Sequence, residues 1–130
     1  MLLGEFKVAF AHGLLVIAAP ESTDAHEEWD PTSALLHVGG DSIYCGVADA
    51  ATGLVRVTCV EDSTVEADLS VAFSGRLTLP SSRLELYDPN ETIKLVVPVS
   101  SEEATVTIYV NDDEEPTEVL VRVGPPMPFG

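Results

Sequence analysis

Apolar and polar residues alternate in short runs along most of the chain, and Gly, Pro, Asn and Asp lie between the runs. Successive side chains of a β-strand point to opposite faces, so an alternation of period two indicates a strand with one buried face. The helical period of 3.6 is nearly absent. About eight short strands at this spacing predict an all-β fold, namely an antiparallel β-sandwich.

The length and composition fit a single domain. The chain has 130 residues, of which 45% are apolar, and a domain of this size buries about two-thirds of the surface that its unfolded chain exposes. We expect the sandwich to occupy residues 1–123. Gly and Pro make up most of residues 124–130, so we expect this segment to form a loose tail.

The strand pattern also predicts turns and buried positions. Residues 49–53 form a turn signal between two apolar runs, which predicts a hairpin, and Ser74-Gly75 separates two shorter runs. Pro98 cannot donate a backbone hydrogen bond, so its strand is expected at the edge of a sheet or bulged at that residue. Alternation assigns the following residues to the core: Phe6, Val8, Phe10, Leu15, Ile17, Ile43, Val57, Leu69, Val71, Phe73, Leu95, Val97, Val106, Ile108 and Val121.

Residues 20–40 do not follow the strand pattern, because most of this segment is polar and acidic. Asp30 is a suitable N-cap, and Pro31 fits the first position of a helix. Gly39 and Gly40 follow where such a helix would end. We therefore expect one short helix over residues 31–37, crossing the end of the sandwich.

The charge of the chain is strongly negative. Its 22 acidic and 6 basic side chains give a formal charge of −16. The basic residues never cluster, which argues against direct nucleic-acid binding, since phosphate contacts need grouped Lys or Arg. No Lys or Arg occurs over residues 8–55 or 95–121, and each stretch carries seven carboxylates. A surface this one-sided attracts a basic partner, and it could imitate the phosphates of nucleic acid.

Two acidic segments contain the candidate binding residues. The first surrounds the only tryptophan, and the second is a short acidic run near the C-terminus. Trp29 is either an anchor for the partner, since tryptophan is common among binding hot spots, or a side chain that packs its own segment onto the sandwich. The candidate partner-binding residues are Glu27, Glu28, Trp29, Asp30, Asp112, Asp113, Glu114 and Glu115.

No pattern in the sequence indicates catalysis, a metal or a cofactor. His12, His26 and His37, taken with Cys45 and Cys59, match no structural zinc spacing, and the G-x-S-x-G motif is absent from the sequence. Carboxylate pairs occur throughout the chain, so pairing gives no information on acid–base chemistry. The acidic run near the C-terminus lacks the ligand spacing and the glycine of a calcium loop. We predict a protein that is not an enzyme and has no metal site or cofactor.

The cysteines and the apolar segments bear on the cellular location. Cys45 and Cys59 lie on consecutive predicted strands and could face each other, but two buried thiols in a reducing compartment explain them more simply. No apolar stretch reaches the roughly 18 residues of a membrane helix. Residues 8–19 are as apolar as a signal-peptide core, but Glu5 precedes them and Gly13 interrupts them. We expect a cytoplasmic protein with no membrane partner.

The order of these features resembles that of a known family. A strand containing His12 leads to an acidic segment around Trp29, and a short helical segment and a glycine pair precede a strand that opens Asp41-Ser42-Ile43. In this order the chain resembles the family of competence protein J, the inhibitor of the DNA-entry nuclease of competent bacilli, and its small all-β relatives. The matching positions are His12, Trp29 and Ile43. The resemblance implies a cytoplasmic inhibitor or immunity-type protein with a nuclease partner, no cofactor and no catalysis.

The charge and the resemblance together predict an acidic, non-enzymatic binding protein. Its role would be that of an inhibitor or immunity-type protein that occupies a basic site on a partner such as a nuclease. The alternative is a structural or adhesive β-sandwich module, whose carboxylates maintain solubility in a halophile or collect calcium. The chain has only two lysines, Lys7 and Lys94, which keeps the halophilic alternative open.

Overall fold

Ten strands form two five-stranded sheets in the computed structural model of the protein. The first sheet has the strand order β1-β5-β10-β9-β6, and the second has the order β3-β4-β2-β7-β8. The strands are β1 (Leu2–Val8), β2 (Leu14–Ala18), β3 (Leu36–Val38), β4 (Ser42–Gly46), β5 (Val55–Glu61), β6 (Ser70–Thr78), β7 (Arg83–Tyr87), β8 (Lys94–Pro98), β9 (Glu103–Val110) and β10 (Glu118–Gly124). The structure describes residues 2–10, 13–20, 36–39, 42–61, 69–88, 93–99, 102–112 and 114–124.

The apolar faces of the two sheets pack against each other and form one hydrophobic core. In the second sheet, Ile17 of the central strand β2 pairs with Ile43 of β4 and Leu86 of β7, and all three are fully buried. In the first sheet, Val121 of the central strand β10 lies beside Ile108 of β9. The alternation of apolar and polar residues therefore produces a β-sandwich, as the sequence predicts.

Two details of the predicted sandwich are wrong. The described residues form ten strands rather than about eight. The sheets are also not wholly antiparallel, because β10 pairs with β5 in parallel. The hairpin partner of β10 is β9, and β10 inserts between β9 and β5, so its direction relative to β5 depends on a long-range contact. Alternation within one strand carries no information on such a pairing.

The predicted helix over residues 31–37 is not shown. Leu36 and His37 belong to β3 instead, where they pair with Cys45 and Tyr44 of β4. The prediction rests on local capping signals, and backbone pairing with β4 overrides those signals at these two residues. Residues 31–35 lie outside the described part of the chain.

The connection between β4 and β5 contains the predicted turn, but it does not close a hairpin. Thr52 and Gly53 donate backbone hydrogen bonds to the Asp49 carbonyl at 3.0 and 3.2 Å. Because β4 lies in the second sheet and β5 in the first, the turn carries the chain from one sheet to the other. Cys45 and Cys59 consequently lie in different sheets and do not face each other across one ladder. Both are buried free thiols, as expected.

The chain places Val71 outside the core, contrary to the prediction. A bulge between Val71 and Phe73 inserts one extra residue of β6 against β9. Since side chains alternate along a strand, the extra residue leaves Val71 60% exposed while Phe73 packs against the core. The strand is also continuous through Ser74-Gly75, which does not separate two strands.

The other predicted core positions are largely confirmed. Leu69 is half-buried. Pro98 is the last residue of β8, and β8 is an edge strand, as the missing N–H of Pro98 predicts. Strand β10 extends to Gly124, and residues 125–130 of the predicted tail lie outside the described residues. Four predicted positions are partly buried against the core, namely Phe6, Val8, Phe73 and Leu95. Nine are buried: Phe10, Leu15, Ile17, Ile43, Val57, Val97, Val106, Ile108 and Val121.

The two lateral sides of the sandwich differ. On one side, β1 of the first sheet contacts β8 of the second and closes the gap between the sheets. Gly4 permits this approach, because a Cβ at that position would lie 2.7 Å from Cδ1 of Leu95. On the other side the edge strands are β6 and the three-residue strand β3. Within the described part of the chain, a cleft remains between the sheets on this side.

Candidate functional site

Residues 111–117 connect β9 to β10 and form the acidic turn, which contains the second predicted binding segment. The Asn111 side chain holds the two ends of this turn together. Its Oδ1 accepts hydrogen bonds from the backbone N–H groups of Thr117 (3.0 Å) and Glu118 (3.1 Å), and its Nδ2 donates to Thr117 Oγ1 (2.8 Å). These hydrogen bonds fix the two ends of the turn that carries the charged side chains.

Asn111→Ala is expected to loosen the acidic turn and to lower the free energy of unfolding by about 1–2 kcal/mol, because three hydrogen bonds lose a partner at a solvated site. Hydrogen exchange at the Thr117 and Glu118 amides should become faster. Thr117→Val removes a single hydroxyl acceptor, so this control should cost clearly less. Unchanged amide exchange in Asn111→Ala would contradict the role that we assign to this side chain.

Three of the four predicted carboxylates of the acidic turn lie at the surface. Asp112, Glu114 and Glu115 are exposed, and Asp113 lies outside the described residues. Asp112 Oδ1 accepts a hydrogen bond from the Glu114 N–H at 2.9 Å, so Asp112 shapes the turn as well as carrying charge. Among the described residues, no cation forms an ion pair with any of the three. Their charge is therefore directed to solvent.

Main-chain hydrogen bonds attach the acidic turn to the loop between β4 and β5. Pro116 is buried, and its carbonyl accepts a hydrogen bond from the Ala48 N–H at 2.9 Å. The next residue of that loop is Asp49, whose exposed carboxylate accepts hydrogen bonds from the Ala51 and Thr52 N–H groups at 3.0 and 3.1 Å. A fourth described carboxylate thus lies beside the acidic turn.

Asp49 is the site residue that the sequence-based prediction misses. In the sequence, Asp49 stands at the start of a turn, where aspartate is common for structural reasons. This local pattern does not reveal that Asp49 lies beside the acidic turn, which is more than 60 residues away in the chain. The first predicted segment, residues 27–30, lies outside the described residues, as does His12 of the resemblance. Ile43, a further position of the resemblance, is a fully buried core residue. Of the predicted site, the structure describes Asp112, Glu114 and Glu115 together in one turn.

Most of the basic residues lie on a sheet face, and one of them, Arg56, donates its backbone N–H to the Thr117 carbonyl of the acidic turn at 2.9 Å. Lys7, Arg56, Arg76 and Arg122 are on the outer face of the first sheet, since their neighbours along each strand face the core. The sheets also contain cross-strand ion pairs: Arg56–Glu5 (3.7 Å), Arg76–Glu103 (3.7 Å) and Lys94–Glu85 (3.6 Å). Three strand cations, Arg56, Arg76 and Lys94, are thus paired with strand carboxylates, and none of these ion pairs involves Asp112, Glu114 or Glu115.

The edge cleft, a cavity of about 690 Å³ between the edge strands β3 and β6, adjoins the acidic turn. It is lined by Leu36 of β3, residues 70–72 of β6 and residues 110–112 at the end of β9. Its wall therefore combines apolar side chains with the polar groups of Asn111 and Asp112. The bulge that turns Val71 outward lies in this wall, so the same backbone irregularity shapes the cleft.

The two thiols are unsuited to reaction or metal binding. Burial raises the pKa of Cys45 to about 12, and burial with the nearby Glu61 carboxylate raises the pKa of Cys59 to about 12. Such thiols stay protonated at neutral pH, whereas the thiolate is the nucleophile and the ligand.

The described residues contain no group of three His, Cys, Asp or Glu side chains able to hold a metal ion. Among the same residues, no helix has the length and apolar character to cross a membrane.

Above about pH 9 these thiols should destabilise the fold. The ordinary thiol pKa is 9.0, so the unfolded chain loses these protons near that pH, whereas the folded thiols keep theirs up to about pH 12. The folded state then binds more protons, and the free energy of unfolding falls as the pH rises, by up to about 1.4 kcal/mol per pH unit for each thiol. Urea unfolding above and below pH 9 measures this slope. An equal slope in a Cys45→Ala/Cys59→Ala variant would exclude the thiols as its cause.

Two solved structures have a fold similar to that of this chain. No protein-family model matches the sequence, and no curated protein matches it. The crystal structure of ComJ, inhibitor of the DNA degrading activity of NucA, from Bacillus subtilis, matches with a TM-score of 0.71 and 7% identity, covering 97% of this chain and 98% of that chain. Crocagin biosynthetic gene J matches with a TM-score of 0.57 and 11% identity, covering 95% of this chain and 96% of that chain. The resemblance to competence protein J that the sequence predicts is confirmed for the fold.

Proposed function

We propose that this protein is an acidic, non-enzymatic inhibitor that binds a basic site on a partner, in particular the nucleic-acid site of a cytoplasmic nuclease. The acidic turn is the main support for this proposal. Hydrogen bonds fix the turn, and several of its carboxylates are exposed to solvent. No described cation forms an ion pair with these carboxylates. The fold shared with an inhibitor of a DNA-degrading activity supports the same role. At this level of identity the likeness concerns the fold, and the role depends on the site.

Inhibition would proceed by steric and electrostatic occupation of the partner's substrate groove. A nuclease binds phosphates through Lys and Arg side chains, and a dense group of carboxylates presents these side chains with charge of the same sign as phosphate. Asp49, Asp112, Glu114 and Glu115 would take the positions of phosphates in the groove. Binding alone blocks the substrate, so the mechanism requires no catalytic residue and no cofactor.

We assign the first acidic segment, with Trp29 among Glu27, Glu28 and Asp30, to the same partner-binding surface. On this assignment Trp29→Ala should raise the dissociation rate of the complex while the melting temperature stays unchanged, because a hot-spot side chain acts through contact with the partner. Stopped-flow dissociation and thermal unfolding measure the two quantities. A lower melting temperature with an unchanged dissociation rate would show that Trp29 packs its own segment instead.

Inhibition of a nuclease tests the proposed function. The tagged full chain is used to isolate its partner from cells of the source organism, and the isolated nuclease is then titrated with this protein while cleavage of fluorogenic DNA is followed. One-to-one inhibition is expected. Glu114→Gln/Glu115→Gln should weaken inhibition about tenfold. The matched control Glu102→Gln/Glu103→Gln removes the same charge at the opposite end of β9 and should inhibit like the parent.

The alternative of a structural or adhesive module predicts different outcomes in the same preparation. Isolation of no nuclease, together with stabilisation of the fold by calcium or a requirement for molar salt, would support that alternative and contradict inhibition. Equal inhibition by both double variants would show that a nuclease is bound without the acidic turn.

A further inference from the structure

We propose that the edge cleft receives an arginine side chain from the basic partner and so anchors the complex. This inference rests on the proposed function, and it adds one specific contact to the general attraction of the acidic turn. The cleft measures about 690 Å³, which admits a long side chain, and residues 111 and 112 belong both to its wall and to the acidic turn. A partner drawn to the acidic turn therefore meets the cleft directly.

The apolar wall of the cleft fits the aliphatic stem of arginine. Leu36 is half-buried against the core and Val71 is 60% exposed, so these two side chains offer apolar surface, whereas Val110 behind them is buried. An exposed apolar side chain gains free energy when a second apolar surface removes it from water. The β6 bulge creates this opportunity, because without the extra residue Val71 would face the core. Bulges commonly re-aim a side chain beside a functional site in this way.

The polar end of the cleft fits a single guanidinium group. Asp112 is the charged residue of the described lining. Its Oδ1 accepts a hydrogen bond from Glu114, and no described residue donates to its Oδ2. The side chain of Asn111 forms hydrogen bonds with Thr117 and Glu118, and no described hydrogen bond joins it to the Asp112 carboxylate.

Arginine suits this combination better than lysine. Its guanidinium group is less strongly hydrated than an ammonium group, so its transfer to a half-apolar cleft costs less. Its planar donors also bind a carboxylate through two parallel hydrogen bonds, while an ammonium acts as a point charge. A carboxylate at one end of an apolar wall therefore selects a cation with a long apolar stem and a planar head.

Binding of N-acetyl-arginine amide to the full chain tests this proposal without the partner. In ¹H–¹⁵N spectra, the amides of residues 70–72 and 110–112 should shift and saturate at millimolar ligand. N-acetyl-lysine amide should bind at least threefold more weakly, and the uncharged citrulline analogue at least tenfold more weakly. Asp112→Asn keeps the oxygen that accepts from Glu114, so the turn stays formed, and this variant should lose at least fivefold in affinity. Glu102→Gln is the matched control and should bind like the parent.

Two results would overturn the proposal. Shifts that fail to saturate and spread over all exposed carboxylates would show general charge attraction only. Equal binding of the citrulline analogue would show an apolar occupant. The nuclease titration with Glu114→Gln/Glu115→Gln separates the proposed function from the anchor: if that variant loses inhibition while the cleft binds no arginine amide, the proposed function stands and the anchor is rejected. If that variant inhibits like the parent and no arginine amide binds, the acidic turn and the anchor are both rejected as contacts with the nuclease.

Discussion

Conversion of the four consecutive acidic residues of the acidic turn to their amides is expected to slow association with the basic partner about 10- to 100-fold at low salt. The variant carries Asp112→Asn, Asp113→Asn, Glu114→Gln and Glu115→Gln. Long-range attraction acts before contact, so the association rate should change more than the dissociation rate. Stopped-flow mixing with the isolated nuclease over a range of salt concentrations measures both rates.

Salt should remove this difference between the parent and the variant. Charges attract over about 8 Å at physiological ionic strength and over about 3 Å in 1 M salt, so the two association rates should converge at high salt. Folding should remain intact, because the amide of Asn at position 112 can still accept from Glu114. Crowded like charges repel, so the variant should be at least as stable as the parent. Equal association rates at low salt would show that the acidic turn is not the electrostatic contact.

Ile108→Ala is expected to lower the free energy of unfolding by about 3–4 kcal/mol. Ile108 is fully buried between the sheets, and its truncation removes apolar contacts and leaves a cavity in a packed core. The melting temperature should fall by about 10 °C or more in a chain of this length. Denaturant unfolding and calorimetry measure the two quantities.

Val71→Ala is the matched control for this core substitution. Val71 lies across from Tyr109 on the neighbouring strand, but its side chain lies outside the core, in the wall of the edge cleft, and is 60% exposed. Its truncation should therefore change stability by no more than about 0.5 kcal/mol. A loss similar to that of Ile108→Ala would mean that β6 has no bulge and that Val71 faces the core.

The strands and turns of this fold can be predicted from the sequence because their signals are local. Alternation identifies Ile17, Ile43 and Val121 as core residues, and the acidic run identifies the turn between β9 and β10. The parallel pairing of β10 with β5 and the passage from β4 to β5 across the sandwich depend on contacts far apart in the chain. Neither leaves a mark on the alternation within a strand.

The candidate site likewise has a part that local sequence predicts and a part that depends on long-range contacts. Asp112, Glu114 and Glu115 are neighbours in the chain, so the sequence alone groups them. Asp49 joins them through the hydrogen bond from the Ala48 N–H to the Pro116 carbonyl, which depends on tertiary structure. The edge cleft could not be predicted at all, because it needs the β6 bulge and the short strand β3, and local capping signals predict a helix where β3 begins.

This chain and ComJ share a fold at only 7% sequence identity. Local alternation patterns that many sequences can satisfy explain how this is possible. A β-sandwich requires alternating apolar positions and turns at suitable intervals, and many different residues meet these requirements. The surface is under no such constraint, so function must be argued from the acidic turn and the edge cleft rather than from the fold.

Competition between this protein and DNA for the nuclease shows whether the protein occupies the substrate site. A fluorescent DNA that the nuclease binds but cannot cleave reports, by its anisotropy, whether the substrate site is occupied. This protein should release the DNA completely, and the concentration required should rise in proportion to the DNA concentration. A ternary complex in which DNA remains bound at saturating concentrations of this protein would contradict the proposal that this protein occupies the substrate site.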